Sequence, residues 1–230
     1  MATKKKLKKI TSITPARKKR AERIVATLKE LFPEAHIALV YKSNWELLVA
    51  VELSAQCTDK KVNEVTARLF AKYPTLSDYV WAKRSDFEKD IHETGFFRNK
   101  AKNILAAAKL VDEKFGGSIP NTMQEMLTIP GVARKTANVV LGNAYGIIDG
   151  IAVDTHVKRF AQKFDLTDYS DSKVIERDLM MLIPKKEWFD LTYRLIEYGR
   201  KVCVARKHDC KEHPLTKIFP AAKNIWPRAR

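Results

Sequence analysis

The residues with the most chemical promise lie in one short string, Leu127-Thr-Ile-Pro-Gly-Val-Ala-Arg-Lys135. Pro130 and Gly131 break the helix before them, and the next helix resumes within about three residues. So tight a turn leaves the N–H groups of Gly131, Val132 and Ala133 without helical partners, aimed along the positive end of the following helix. That is a seat for an anion such as a phosphate, and Arg134 and Lys135 add charge to it. Two readings of Lys135 stay open from these residues: a phosphate contact, or an amine nucleophile. A lysine is a poor nucleophile near its ordinary pKa of about 10.4, but a helix N-terminus and a neighbouring arginine both favour the neutral amine. Asp154 precedes a clear amphipathic pattern and is placed to cap that helix; a carboxylate so held is well oriented and ionised.

The elements that must position these groups read as helices. Ile24, Leu28 and Leu31 share one helical face that Pro33 ends. Ser43 and Glu46 form a capping-box pattern before the apolar run Trp45–Leu53, and Thr122 and Glu125 form a second. Ala101, Ile104, Leu105, Ala108 and Val111 make a stripe stopped by Gly116 and Gly117. Ala137, Val140, Leu141 and Ala144 make another, as do Val157, Phe160, Ala161 and Phe164. His36–Tyr41 is the only short strand candidate, so the class is all-α.

Composition narrows the partner. The 230 residues carry 43 basic against 27 acidic side chains, a formal charge of +16. This favours a polyanion, nucleic acid above all, over a membrane. No apolar run approaches the ~20 residues that span a bilayer, and the basic N-terminus lacks the apolar stretch of a secretory signal. An intracellular, DNA-associated protein acting as a monomer is the expectation. Residues 1–15 read as a disordered basic arm that raises non-specific affinity for DNA. The three cysteines, Cys57, Cys203 and Cys210, do not make a disulfide framework, and the last two are too far apart for a CxxC pair.

Four ordered blocks carry a family resemblance. Ile129-Pro-Gly-Val-Ala-Arg-Lys-Thr-Ala-Asn-Val-Val140 resembles the helix-hairpin-helix signature of the endonuclease III family of DNA glycosylases. Leu53-Ser-Ala-Gln-Cys-Thr-Asp59, Gly95-Phe-Phe-Arg-Asn-Lys-Ala101 and Ile151-Ala-Val-Asp-Thr-His-Val157 resemble three more of its blocks. The resemblance implies a bilobal helical fold. One lobe is a helical barrel over residues 37–147, with the hairpin at 122–142. The other joins 16–36 to 148–230.

It also implies bifunctional glycosylase/AP-lyase chemistry on double-stranded DNA holding oxidised pyrimidines or abasic sites. Lys135 would attack the sugar C1′ and cut the strand by β-elimination, and Asp154 would assist and stabilise positive charge on the sugar. Gln56 would enter the space left by a flipped base, where its amide offers donors and an acceptor. Phe96, at the family's apolar wedge position, would stack between bases, with core packing as the alternative. Gly131, Val132, Ala133 and Arg134 would hold the DNA backbone. A competing reading is a DNA-binding paralogue whose glycosylase activity is weak, lost or narrowed to a monofunctional form.

The chain departs from the family in its hairpin, beside the wedge position at Arg98, and in its cluster loop. Ala133 replaces a glycine common in the hairpin, which requires φ below zero or slight strain. The family usually carries a [4Fe–4S] cluster on cysteines spaced C-x6-C-x2-C-x5-C. Cys203 and Cys210 match the first two positions, but His213 and Phe219 stand at the others. Phenylalanine cannot ligate iron. The expectation is therefore no cofactor and no metal, with the tail Ile218–Trp226 covering the gap through Phe219, Ile225 and Trp226. A zinc site on these residues lacks an obvious fourth ligand, although His208 is close in sequence.

Overall fold

The computed structural model describes residues 13–225. In chain order its helices are α1 (Pro15–Leu31), α2 (Asn44–Leu53), α3 (Asp59–Lys72), α4 (Leu76–Val80), α5 (Arg84–Asp90) and α6 (Phe97–Phe115). There follow α7 (Met123–Met126), α8 (Arg134–Tyr145), α9 (Thr155–Lys163), α10 (Ser172–Leu182), α11 (Trp188–Lys201) and α12 (Pro214–Ile218). Short 3₁₀ turns complete the set, and no strand occurs among the described residues. Nor is any described helix long and apolar enough to cross a membrane.

The strand candidate at His36–Tyr41 is corrected: these residues form irregular, extended chain. A lone strand has no neighbour to satisfy its backbone. Here the Asn63 side chain does that work, accepting from the Val40 N–H at 3.0 Å and donating to the Ala38 carbonyl at 2.9 Å. Of the basic segment 1–15, residues 1–12 lie outside the described residues. Its end is already helical, because Thr14 caps α1 by accepting from the Arg17 N–H.

The contacts divide the chain into two compact units. The first spans Ile37–Ala152. Its centre is α2, apolar all round and buried from Leu47 to Leu53 apart from one acid, Glu52. Around it pack α3, α6 and α8. Ser43 caps α2 by accepting from the Glu46 N–H. The Glu46 carboxylate accepts from Lys42 N–H rather than from the cap itself, so the expected box is half formed. The stripe Ala101–Val111 is buried along α6 as its period demands, and that helix ends at Gly116.

The second unit joins the segment up to His36 with that from Val153 onward. Here α1 packs on α10, α11 and α12, and α9 packs on α10 and α11. Val157, Phe160, Ala161 and Phe164 form its buried stripe. Arg17 pins α1 through ion pairs to Asp165 at 2.5 Å and Asp168 at 2.6 Å. Gly199 permits the closest approach of α11 to α9: a Cβ there would lie 2.2 Å from His156 Nδ1 and 2.6 Å from Arg159.

Candidate active site

The hairpin is tighter than its sequence suggests, since its first helix, α7, is a single turn. Thr122 caps that turn by accepting from the Glu125 N–H at 3.2 Å. Ile129 and Val132 are buried and anchor the loop in the core, while Gly131 and Ala133 are exposed. One of the three expected free donors is corrected: the Val132 N–H closes the turn on the Ile129 carbonyl at 3.1 Å. A tight turn of this shape needs that bond, so the candidate anion donors are the N–H groups of Gly131, Ala133 and the first turn of α8. The N-cap of α8 is Ala133, which has no side chain able to cap. Its φ of −93° is unstrained, so alanine fits this position. Lys135 lies half-buried in that first turn. Arg134 is not a bare cation: it pairs with Asp149 at 3.4 Å.

A buried acid that sequence reasoning passed over sits under the turn. Gly131 has φ +85°, and a Cβ on it would lie 2.6 to 2.9 Å from the Glu52 carboxyl group. Glu52 is 8% exposed, and its Oε1 is buried without a hydrogen-bond partner. Burial pushes its pKa up to about 8. The sequence signal available was a lone acid in the otherwise apolar run Leu47–Leu53.

The sign of its pH effect follows. The folded pKa of about 8 stands above the ordinary 4.5, so the folded protein holds the proton longer. Stability contributed by the protonated acid is complete below pH 4.5 and is lost as pH rises through 8. Urea unfolding of the parent is expected to weaken by about 2–4 kcal/mol across that window. Glu52→Gln, which cannot ionise, should flatten the curve; an unchanged slope would show the carboxyl to be ionised when folded.

Two exposed residues in the same unit hold left-handed backbone. Gln56 has φ 55° and Phe96 has φ 48°, conformations that non-glycine residues adopt at a cost. Phe96 is 66% exposed, which removes the core-packing alternative. Gln56 is exposed just beyond α2. Lys100 ties both turns together. Buried inside the unit, its Nζ donates to the Leu53 carbonyl and the Thr94 carbonyl, each at 2.8 Å. The first bond holds the end of α2 that leads to Gln56; the second holds the chain that leads to Phe96. Burial lowers the Lys100 pKa. Lys100→Met keeps the aliphatic stem but strands both carbonyls, so a loss of about 2–3 kcal/mol in urea unfolding is expected. A variant as stable as the parent would remove Lys100 from this role.

In the other unit, Asp154 is the N-cap of α9, accepting from the Val157 N–H at 2.8 Å. The expected capping role is present, and the carboxylate is half-buried rather than enclosed.

After α11 the chain turns through a loop of thiols and imidazoles. Cys203, His208 and His213 place one sulfur and two ring nitrogens within 4.8 Å of one another. Cys210 is buried with its Sγ 3.5 Å from Lys163 Nζ. That ammonium also donates to the carbonyls of Ala222 and Ile225, each at 2.8 Å. The expected apolar cover is corrected. Leu215, Thr216 and Ala222 are the buried residues there, Phe219 lies half-buried under the Arg20 guanidinium, and Ile225 is exposed; Trp226 lies outside the described residues. The tail is drawn in by its backbone carbonyls, which a buried ammonium requires, and not by apolar side chains.

Comparison with known proteins agrees with this architecture. Residues 49–185 match the HhH-GPD superfamily of base excision DNA repair proteins. The chain is 50% identical over 208 residues to endonuclease III of Synechocystis sp., covering 90% of this chain and 95% of that protein. Endonuclease III of Bacillus subtilis is 42% identical over 201 residues, covering 87% and 91%. A solved non-covalent endonuclease III–DNA complex superposes with a TM-score of 0.85 at 40% identity, covering 90% of this chain and 97% of that one. These relatives also correct the expectation of no cofactor and no metal, because endonuclease III proteins normally carry a [4Fe–4S] cluster. Spacing along the chain does not show which donors meet in space, and ligation depends on that. The donors that meet here are one thiol and two imidazoles, a set unlike the four thiolates of the usual pattern. On the match of sequence, fold and hairpin, the chain belongs to the endonuclease III family of helix-hairpin-helix base excision repair enzymes.

Proposed function

We propose that Lys135 is the nucleophile of a bifunctional DNA glycosylase/AP lyase and that Asp154 stabilises the positive charge that develops on the sugar. The observation that carries this reading is Lys135 itself, half-buried in the first turn of a helix whose N-terminus has no side-chain cap. Gly131, Ala133 and that first turn offer N–H groups to a DNA phosphate and so set the strand's register on the protein. In its neutral form the Lys135 amine attacks C1′ of the damaged nucleotide. A nitrogen–carbon bond forms as the bond to the base breaks, and the base leaves with the electron pair. Opening of the sugar ring gives a Schiff base. Loss of a C2′ proton then expels the 3′ phosphate, and water releases Lys135. Asp154 favours the positive charge that develops on the sugar.

Gln56 and Phe96 are the residues we assign to the opened duplex. Gln56 takes the place of the extruded base and Phe96 wedges the adjacent step. Their exposure and left-handed backbone support this reading, because such strain persists where the fold holds a residue outward for use. A solved relative is a trapped endonuclease III–DNA covalent intermediate, matching at a TM-score of 0.85. The substrates proposed are duplexes carrying oxidised pyrimidines or abasic sites, and the enzyme works where cellular DNA is. The test is borohydride reduction in the presence of abasic duplex: one covalent adduct per chain is expected, and its absence from folded protein would remove the lyase reading.

Asp154→Asn separates the two roles of that residue. Asparagine caps nearly as well as aspartate, so stability should change by less than about 1 kcal/mol. Base release should fall by on the order of 10²-fold, since the charge is gone. Equal turnover in the two proteins would leave Asp154 only its cap.

A further inference from the structure

The loop after α11 carries a second chemistry, independent of the hairpin. We propose that Cys203, His208 and His213 bind one metal atom between them, with His213 standing at a cysteine position of the family's pattern and His208 outside it.

Three observations support it. The sulfur and the two nitrogens lie within 4.8 Å of one another, as donors around a single centre must. Ligands of one tetrahedral zinc, bound at about 2.3 Å for sulfur and about 2.0 Å for nitrogen, stand roughly 3.5 Å apart. The modest closure still needed falls on a loop whose two imidazoles are only half-buried.

The histidines, second, are left as ligands are. His208 Nδ1 lies 2.7 Å from the Arg206 carbonyl, which can only accept, so Nδ1 bears the proton. The lone pair is therefore on Nε2, which is buried and has no hydrogen-bond partner. A ring nitrogen held by a backbone carbonyl with its opposite nitrogen bare is the usual support of a metal-ligating histidine. His213 Nδ1 is likewise buried and unpartnered, and the two rings stack with centroids 5.1 Å apart. Two bare nitrogens beside a buried thiol are costly unless a cation joins them.

Third, the frame is fixed on both sides. The Cys203 carbonyl accepts from Arg159 at 2.9 Å, and Lys163 holds Cys210 and the carbonyls of the tail. Cys210 is thus engaged with Lys163 and is not among the convergent donors. The fourth position falls to solvent. A thiolate with two imidazoles suits zinc.

The untagged full-length chain, purified without chelator, is analysed for metals by plasma mass spectrometry and for acid-labile sulfide. It is then stripped and refilled with Zn²⁺ or Co²⁺. About one zinc per chain is expected, and the Co²⁺ form should show thiolate-to-cobalt charge transfer and the visible bands of a tetrahedral site. His208→Ala and His213→Ala should each weaken retention at least about tenfold, and Cys203→Ser should abolish the charge-transfer band. Iron with acid-labile sulfide in place of zinc would overturn the single-metal proposal. Because Cys203 is buried, the decision rests on the histidine variants, with helical circular dichroism reporting their folding. A folded parent that takes up no stoichiometric metal, or histidine variants that retain it as the parent does, would overturn the proposal.

Discussion

Lys135→Gln is expected to abolish the borohydride-trapped adduct on abasic duplex and to lower strand cleavage by at least about 10³-fold. The size of the effect follows from the chemistry. A glutamine amide has no basic lone pair to attack C1′ and cannot form a Schiff base, so the covalent route is closed and not merely slowed. Binding should survive, because the proposed anion seat uses the N–H groups of Gly131, Ala133 and the first turn of α8, which the substitution leaves in place. Loss of one cation should weaken affinity by less than about tenfold at moderate salt and reduce its salt dependence by about one phosphate contact. The two measurements together separate a nucleophile from a phosphate-binding lysine. Were Lys135 only a phosphate contact, affinity and cleavage would fall together and the adduct would persist through another amine. That result would end the nucleophile assignment.

The second large effect is expected at Gly131→Ala. Two costs meet there. An alanine at φ +85° is strained by about 1 kcal/mol, and its Cβ would lie 2.6 Å from a carboxyl oxygen of Glu52. Glu52 is 8% exposed and enclosed at the end of α2, so it has little room to retreat. Overpacking of this kind adds about 1–3 kcal/mol. The hairpin must shift to relieve it, and Lys135 shifts with the hairpin. A displacement of about 1 Å at a reacting group can cost on the order of 10²-fold in rate, so single-turnover cleavage should fall with stability. The cause can be isolated. In a Glu52→Ala background the clash is gone and only the strain remains, so Gly131→Ala should then cost about 1 kcal/mol. An equal cost in both backgrounds would show that Glu52 does not press on the turn.

Much of the site could be read along the chain, for a physical reason. The hairpin and the cap at Asp154 are local devices. Each is specified by a few adjacent residues with special backbone demands, and such demands leave a mark in sequence. The helix periods were equally legible, because burial of one face repeats every three or four residues. The strand candidate at His36–Tyr41 failed since alternation marks only a preference; the segment found its partner in the Asn63 side chain and not in another strand.

What escaped the sequence are long-range placements. Lys100 stands within a recognisable block, but its work depends on a carbonyl at Leu53, 47 positions earlier. Glu52 reads as an odd acid in an apolar helix until Gly131 is seen against it. His208 is visible in the sequence as a nearby donor, but its convergence with Cys203 and His213 is set by the turn of the loop. Residue types and local spacing determined the helical class, the hairpin, the nucleophile candidate and the family of this protein. The tertiary structure alone decided which buried charges hold those pieces in place, and it brought Cys203, His208 and His213 together in a loop expected to carry no metal. The reason is that backbone geometry is encoded by neighbours in sequence. The cost of burying a charge or a bare nitrogen is set by whatever the fold brings within about 3–5 Å of it.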